Sequence, residues 1–211
     1  MEKTVSYAAT NTYVTLNSLH ENTKNVWVVF HGIGYLSRYF VRYFEALDSN
    51  ENYIIAPQAP SKYYLKNEYK YVGASWLTKE NTASETENVL NYMDAVWAAE
   101  KIPKDRNVIV FGFSQGVSIA LRWMVKRKIK CGQLILFAGG IPNELQKEHL
   151  NFLDWDTTQV KIVYGKSDEY LQGERLIKEQ HKMNALFGNN LEVITFDGGH
   201  ELKPEIISNL L

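Results

Sequence analysis

The sequence predicts an α/β fold with a doubly wound, mostly parallel β-sheet, and its apolar pattern is the basis of this expectation. Short apolar runs alternate along the 211 residues with longer amphipathic segments. The short runs are rich in β-branched and aromatic residues and are mostly apolar on both faces, as buried parallel strands are. No internal repeat or low-complexity tract interrupts the alternation. We therefore expect residues 1–211 to form a single domain.

Six of the short runs are predicted strands, at 26–30, 53–56, 108–111, 134–137, 160–164 and 191–196. Two polar-interrupted segments near Val5 and Val14 predict an additional antiparallel hairpin at one edge of the sheet. Strands separated by helices imply right-handed crossovers between parallel neighbours. Ligands of such sheets bind at the carboxyl ends of the strands, so the residues that follow each strand are the first candidates for a site.

Four helical regions are expected between these strands. The apolar residues Phe40, Phe44 and Leu47 share one helical face. A second helix is predicted to begin at Thr82 with Glu85 in a capping box and to end before Pro103. The third extends from Gln115 to about residue 128 and ends in basic residues, which favour a helix C-terminus. The fourth covers about 174–187.

Composition excludes several classes of partner. The chain has 23 Lys and Arg against 24 Asp and Glu, and this balance gives no broad attraction for nucleic acid. No apolar run is long enough to cross a bilayer, so membrane insertion is not expected. Cys131 is the single cysteine, so an internal disulfide is impossible and the composition suits a reducing compartment. Because no apolar stretch follows the first lysine near the N-terminus, a cytoplasmic location is expected. The oligomeric state stays open.

A candidate nucleophile lies in the run Gly112-Phe113-Ser114-Gln115-Gly116. Gly-x-Ser-x-Gly is a common pattern, but here it directly follows a predicted strand and directly precedes a predicted helix. A nucleophile elbow requires this strand–turn–helix setting. Side chains at the two glycine positions would clash where strand and helix meet. We therefore predict that Ser114 presents its hydroxyl above the sheet.

A serine nucleophile needs a base, and His200 is the best candidate of the five histidines. It follows the last predicted strand in Asp197-Gly198-Gly199-His200-Glu201, where two glycines allow the loop to reach over the sheet. Solvated polar or helical segments account for the other candidates, His20, His149 and His181. His31 follows the 26–30 strand, and we interpret it as structural.

The base in turn needs an acidic partner, and Asp168 fits best because it follows the 160–164 strand. The chain order Ser114, Asp168, His200 is the order expected for a triad on this kind of sheet. Glu169 and Asp197 remain rivals for the acidic position. For the developing oxyanion, the motif predicts two backbone N–H donors, at Gln115 and at Ile33.

Taken together, these motifs resemble the α/β-hydrolase superfamily, and within it the small phospholipase/carboxylesterase group that includes acyl-protein thioesterases. Nearly the whole chain takes part in the resemblance. The matching pieces, in chain order, are His31-Gly32-Ile33-Gly34, Gly73-Ala74-Ser75-Trp76, Gly112-Phe113-Ser114-Gln115-Gly116, Ala138-Gly139-Gly140-Ile141-Pro142, Gly165-Lys166-Ser167-Asp168 and Gly198-Gly199-His200-Glu201.

The resemblance implies a serine esterase that works through an acyl-enzyme, with no metal and no organic cofactor, on a small-molecule acyl ester. It also implies an acyl pocket beside Trp76, Ile141 and Pro142, and we expect Tyr35 to line the same pocket. The chain departs from the group at Tyr35, where Asp is common, at Val117, where a small residue is common, and at Leu77-Thr78, where Phe-Asp is usual. No insertion of the size of a helical lid is evident.

The predicted function is therefore a serine carboxylesterase that cleaves carboxylic esters, with thioesters and lysophospholipids as further candidate substrates. Two alternatives remain: a non-catalytic ligand-binding protein with a hydrolase shell, and a peptidase or amidase on the same triad. The Tyr- and Lys-rich segment 61–72 is interpreted either as a solvated loop or as a substrate rim or contact for an acidic partner.

Overall fold

The computed structural model describes residues 1–66 and 68–211, and most of the strands in this part of the chain form one sheet. The strands are β1 (Tyr13–Leu16), β2 (Asn25–Phe30), β3 (Asn52–Pro57), β4 (Ser61–Tyr64), β5 (Val72–Ser75), β6 (Asn107–Phe113), β7 (Gln133–Phe137), β8 (Gln159–Gly165) and β9 (Leu191–Phe196). Within the described residues, a seven-stranded sheet has the order β1-β3-β2-β6-β7-β8-β9. All six predicted strands belong to it.

Neighbouring strands of this sheet are parallel from β3 to β9, and β1 pairs antiparallel with β3 at the edge. This arrangement confirms the predicted doubly wound, mostly parallel fold. The parallel register aligns the carboxyl ends of β2, β6, β7 and β8, which places the loops that follow them at one edge of the sheet.

An antiparallel strand pair near the N-terminus is confirmed. The segment near Val5, which was expected to pair with the strand around Val14, is not its partner. β1 includes Val14, and its register runs from Tyr13 opposite Pro57 to Leu16 opposite Ile54. The segment around Val5 contains no strand, and the Val5 side chain is exposed. The fully buried β3 offers β1 an apolar edge on which to pack, whereas polar and small residues surround Val5 and leave it little to bury.

The helices are α1 (Ser37–Phe40), α2 (Thr82–Glu100), α3 (Gln115–Arg127), α4 (Gly173–Phe187) and α5 (Pro204–Ile207), with short 3₁₀ segments at Val41–Phe44, Lys147–Leu150 and Gly188–Asn190. The four predicted helical regions are present, although the first is only a short α-helix continued by a 3₁₀ turn. In the described residues, no helix is both long enough and apolar enough to span a membrane.

The capping box predicted for α2 is wrong. Asn81 occupies the cap position with φ 47°, and no side chain caps the first turn. Thr82 is already helical, and its hydroxyl donates to the carbonyl of Thr78 at 3.0 Å. The chain enters this helix from a tight turn, so the geometry that lets Thr82 and Glu85 bond reciprocally does not arise.

Two apolar clusters cover the two faces of the sheet. Val26, Val28 and Phe30 of β2 pack in the cluster that includes α2, α3 and α4. Trp27 and Val29, the alternate residues of the same strand, pack in the cluster with α1, the following 3₁₀ turn and α5. A strand buried on both faces has no polar face, which explains why the predicted strands at 26–30, 53–56, 108–111 and 134–137 are unbroken apolar runs.

The Tyr- and Lys-rich segment 61–72 and the residues after it form a second, two-stranded sheet over 61–75, which the sequence did not predict. β4 and β5 pair antiparallel, with Tyr64 opposite Val72; Asn67 lies outside the described residues. The tyrosines of this segment are between 40% and 77% exposed, and the hydroxyl of Tyr63 would lie 3.8 Å from a Cβ on Gly34. At its other end β5 approaches the loop after β2, where Gly34 N–H donates to Ala74 O at 2.8 Å.

Candidate active site

Ser114 lies at the sharp turn between β6 and α3, with φ 53° and ψ −118°. This conformation is strained for a residue with a side chain, and the surroundings enforce it. A Cβ on Gly112 would lie 2.6 Å from Val117 Cα, and a Cβ on Gly116 would lie 2.1 Å from Phe30 O. The two glycines therefore allow strand and helix to meet closely enough to lift the Ser114 hydroxyl out of the sheet.

The structure brings Ser114, His200 and Asp168 into one hydrogen-bonded chain. Ser114 Oγ lies 2.8 Å from His200 Nε2, and His200 Nδ1 lies 2.8 Å from Asp168 Oδ2. The three residues are far apart in sequence and come from the ends of three strands, β6, β8 and β9. This order and connectivity are those predicted from the motifs.

The loops that carry His200 and Asp168 are held against each other by their backbones. Ser167 N–H donates to Gly198 O at 2.9 Å, and a Cβ on Gly165 would lie 2.3 Å from the same carbonyl oxygen. A side chain at Gly165 would therefore separate the two loops. Their contact brings the carboxylate and the imidazole within hydrogen-bonding distance.

Asp168 is almost completely buried, with 1% of its surface exposed, and every described contact of its carboxylate is with a donor. Oδ1 accepts from the backbone N–H groups of Tyr170 at 2.8 Å and Leu171 at 3.2 Å, while Oδ2 faces His200. These donors orient the carboxylate and offset the cost of burying it. The imidazole is consequently held with Nδ1–H toward Asp168 and Nε2 toward Ser114.

Neither rival for the acidic position contacts His200. Asp197 is exposed and pairs with Lys166 Nζ at 2.8 Å, and this hydrogen bond and charge lower the pKa of the Asp197 carboxyl. Glu169 is also exposed, and among the described residues it forms no hydrogen bond with the imidazole. The geometry favours Asp168 over both.

Two aromatic rings position the imidazole of His200. The ring of Phe113 lies 5.2 Å from it, centroid to centroid, and Tyr170 approaches it edge-on at 4.7 Å. Sequence reasoning missed Tyr170, although its place two residues after Asp168 on the same loop was a usable signal. These contacts restrict rotation of the imidazole away from Ser114.

His31 is fully buried, and backbone groups engage both of its ring nitrogens. Nδ1 lies 2.7 Å from Gly32 O, and Nε2 accepts from Ala59 N–H at 3.1 Å. Burial lowers the pKa of His31 to about 4, so the ring is neutral at pH 7. It ties the loop after β2 to the end of β3, which agrees with the structural role expected for it.

The two predicted oxyanion donors lie at the mouth of the site. Within the described chain, neither the Ile33 N–H nor the Gln115 N–H has an internal acceptor, and both residues line the cavity that contains Ser114. The Gln115 side chain has a further contact that the sequence did not suggest. Its Oε1 accepts from Trp76 N–H at 2.8 Å and its Nε2 donates to Leu77 O at 2.8 Å, which ties the elbow to the chain after β5.

The cavity above Ser114 has a volume of about 490 Å³. Its lining residues come mainly from the loops after β2, β6, β7 and β8 and from the start of α4: Ile33, Tyr35, Phe113, Ser114, Gln115, Ser118, Ala138, Gly139, Gly140, Tyr170, Leu171, Arg175 and His200. Tyr35 therefore lines the pocket as expected. Arg175 was not predicted, because nothing in the helical pattern of α4 indicates which end of it approaches the site.

Three residues expected in the pocket do not line this cavity. Trp76 is 1% exposed and packs in the core against Phe30, and its indole N–H donates to His31 O at 2.8 Å. Ile141 is buried behind the loop after β7, where its N–H donates to Glu179 Oε2 at 2.9 Å, and Pro142 is buried beside it. The side chains of all three turn inward, because the surrounding core can cover their apolar surface.

Sheet order, elbow and cavity define a protein with the α/β-hydrolase fold. The chain belongs to the phospholipase/carboxylesterase family, whose model matches residues 11–211. Membership of this family supports an esterase-type hydrolase. No curated protein sequence matches the chain significantly. Among residues 1–66 and 68–211, no group of three or more His, Cys, Asp or Glu side chains is arranged to hold a metal ion.

Solved structures share the fold at low sequence identity. The acyl-protein thioesterase 2 of Zea mays is 18% identical with a TM-score of 0.68, and the match covers 95% of this chain and 96% of that one. A phospholipase/carboxylesterase from Dyadobacter fermentans is 22% identical with a TM-score of 0.63, covering 97% and 98%. The carboxylesterase of Bacillus cereus is 16% identical with a TM-score of 0.65, covering 94% and 91%.

Proposed function

We propose that this protein is a serine carboxylesterase that cleaves carboxylic esters through an acyl-enzyme intermediate. The observation that carries the proposal is the hydrogen-bonded chain from Ser114 through His200 to Asp168, with both distances at 2.8 Å. Each member has the partner that its role requires: a hydroxyl facing a basic nitrogen, and an imidazole facing a buried carboxylate.

In the acylation step, His200 Nε2 takes the proton of Ser114 while Oγ attacks the ester carbonyl carbon. Asp168 stabilises the imidazolium that forms and keeps it oriented. The tetrahedral intermediate collapses as the bond to the leaving alcohol breaks, and the imidazolium gives its proton to the departing oxygen. The products are the free alcohol and an ester between the acyl group and Ser114.

In the deacylation step, water takes the place of the alcohol. His200 accepts a proton from the water as its oxygen attacks the acyl carbonyl, and Ser114 Oγ leaves with that proton. The carboxylic acid is released and the starting enzyme is restored. Both tetrahedral intermediates carry a negative oxygen, for which we propose the backbone N–H groups of Ile33 and Gln115 as donors. Such donors contribute about 3 kcal/mol each in enzymes of this kind.

The proposed substrates are small acyl esters, with thioesters and lysophospholipids as extensions. A cavity of about 490 Å³ falls within the usual range for small-molecule sites. The names of the similar structures include both a carboxylesterase and an acyl-protein thioesterase, and this supports testing both leaving groups. The single cysteine is our reason for proposing a cytoplasmic location.

The decisive experiment compares Ser114→Ala with the wild-type protein on p-nitrophenyl butyrate. We expect turnover to fall by about four powers of ten or more, because the nucleophile and its base act as a unit. Ser84→Ala, at an exposed position on α2, is the matched control and should retain turnover. A fluorophosphonate should label the wild-type and Ser84→Ala proteins on Ser114 and leave Ser114→Ala unlabelled. Near-normal hydrolysis by Ser114→Ala would refute the proposal.

A further inference from the structure

The cavity above Ser114 has an asymmetric charge distribution. Among its described lining residues Arg175 bears the only permanent charge, and no carboxylate faces the cavity, since Asp168 is buried behind His200. Tyr35 adds no negative charge at neutral pH, and burial raises the pKa of its phenol further, to about 12. Arg175 is therefore the permanently charged group, among the described lining residues, that a substrate in this cavity would meet, and it lies on the side of α4.

Arg175 is well placed to reach a substrate. It lies in the first turn of α4, and one of its terminal guanidinium nitrogens would be 3.8 Å from a Cβ on Gly140. Gly140 follows Gly139, which lies so close to the elbow that a Cβ there would be 2.4 Å from Ser114 O. The guanidinium is thus next to the loop that borders the proposed nucleophile.

The cation of Arg175 is not neutralised by an ion pair in the described part of the chain. Glu179, one turn further along α4, is the nearby acid that is buried, and it is already engaged. Its Oε2 accepts from Ile141 N–H at 2.9 Å, and its Oε1 contacts Lys182 Nζ at 2.9 Å. Glu179 and Lys182 pair with each other, and within the described residues the Arg175 guanidinium forms no hydrogen bond or ion pair.

The outer side of Arg175 faces a wider, shallow groove of about 830 Å³ along α4. This groove mixes both signs of charge, with Lys178 and Lys182 against Glu174 and Glu179. Among the described residues no carboxylate lines the cavity above Ser114, although Glu179 Oε1, which pairs with Lys182, would lie 3.6 Å from a Cβ on Gly140. An anion is therefore favoured on the Ser114 side of Arg175, and the groove beyond leaves space for a longer substituent.

We infer that Arg175 binds an anionic group of the substrate, a carboxylate or a phosphate, while the ester lies at Ser114. This inference rests on the proposed esterase function and narrows its substrate class to charged esters. A guanidinium donates two parallel hydrogen bonds to either anion, which positions the substrate as well as attracting it. Because Arg175 is exposed, its effect is moderate and sensitive to salt.

The test uses two matched pairs of esters. Mono-p-nitrophenyl glutarate is compared with p-nitrophenyl valerate, which has the same acyl length without the carboxylate. The butyrate ester of a carboxylated nitrophenol is compared with o-nitrophenyl butyrate, so that the charge lies on the leaving group. We expect kcat/KM for one anionic ester to exceed that of its neutral partner by about tenfold. The pair that responds reports on which side of the ester the anion lies.

Variants separate a direct contact from a general field effect. Arg175→Gln should abolish the preference, and Arg175→Lys should restore part of it. Lys178→Gln removes the same charge from the same helix but does not line the cavity, so it should retain the preference. Added salt should reduce the preference of the wild-type protein and leave that of Arg175→Gln unchanged.

Binding measured without turnover distinguishes the proposed anion site at Arg175 from the proposed esterase function. Calorimetry with glutarate and with inorganic phosphate should show binding that Arg175→Gln weakens about tenfold, and the tighter ligand identifies the anion. Equal kcat/KM values within both ester pairs, or a preference that survives in Arg175→Gln, would overturn the inference while leaving the esterase function intact. Arg175-dependent binding without cleavage of any ester would overturn the esterase function alone.

Discussion

Asp168 accepts a hydrogen bond from His200 at 2.8 Å while its other carboxylate oxygen accepts two backbone N–H groups of its own loop. These hydrogen bonds fix the position of the carboxylate, and the carboxylate in turn orients the imidazole. Asp168→Asn should lower kcat for p-nitrophenyl butyrate by about three to four powers of ten, because an amide favours the wrong tautomer of His200. Steady-state kinetics at neutral pH measure the loss.

The rival acids supply the controls for this prediction. Asp197→Asn and Glu169→Gln remove carboxylates close to His200 in space or sequence, and neither side chain bonds to the imidazole in the described structure. Both variants should keep kcat within about threefold of the wild type, since surface substitutions of this kind change little. A loss in Asp197→Asn equal to that in Asp168→Asn would contradict the assignment.

Two adjacent glycines after β7 should respond very differently to alanine. A Cβ on Gly139 would lie 2.4 Å from Ser114 O, whereas the nearest atom to a Cβ on Gly140 would be 3.6 Å away. We expect Gly139→Ala to lower the free energy of unfolding by about 2–4 kcal/mol through overpacking, and Gly140→Ala to change it by less than about 1 kcal/mol. Urea denaturation measures both. Equal stabilities would mean that the loop moves freely away from the elbow.

Buried His31 should make the protein less stable in acid. Its pKa falls from 6.5 to about 4 on folding, so between these values the unfolded chain binds more protons than the folded one. The free energy of unfolding should therefore decrease as pH drops from about 6.5 to 4, by about 3 kcal/mol in all. Urea denaturation across this pH range measures the slope.

Substituting His31 shows how much of the acid sensitivity this residue causes. His31→Asn should be less stable at pH 7, because two backbone partners are poorly replaced, but its stability should depend less on pH between 6.5 and 4. His181→Gln, at an exposed position on α4, is the matched control and should retain the wild-type slope. An unchanged slope in His31→Asn would show that other groups cause the sensitivity.

Trp76 should behave as a core residue and not as a determinant of acyl specificity. Trp76→Phe removes the indole N–H that donates to His31 O, leaving a buried carbonyl unsatisfied. We expect the free energy of unfolding to fall by about 1–3 kcal/mol. The ranking of kcat/KM along a series of p-nitrophenyl esters of increasing acyl length should stay unchanged. A changed ranking would show that Trp76 does influence acyl specificity.

The main elements were predictable because their residues carry local signals. The runs that became β2, β6 and β7 are apolar on both faces, and the run that became β8 is so apart from Lys161, a pattern typical of strands that are covered on both faces. The edge was less predictable. β1 gains stability from pairing with β3, which is distant in sequence. The hairpin β4–β5 includes exposed tyrosines, and its sequence resembles that of a solvated loop.

The sequence by itself determined the fold class, the strand–turn–helix setting of Ser114 and the chain order of the three candidate triad residues, because glycines and apolar runs act through local sterics. Only the tertiary structure shows that Asp168, and neither Glu169 nor Asp197, bonds to His200, since this contact depends on how two loops pair across Gly165 and Gly198. Likewise, only the tertiary structure shows that Trp76 packs in the core and that Arg175 reaches the cavity. Their positions follow from how separate elements pack, and no local pattern encodes that packing.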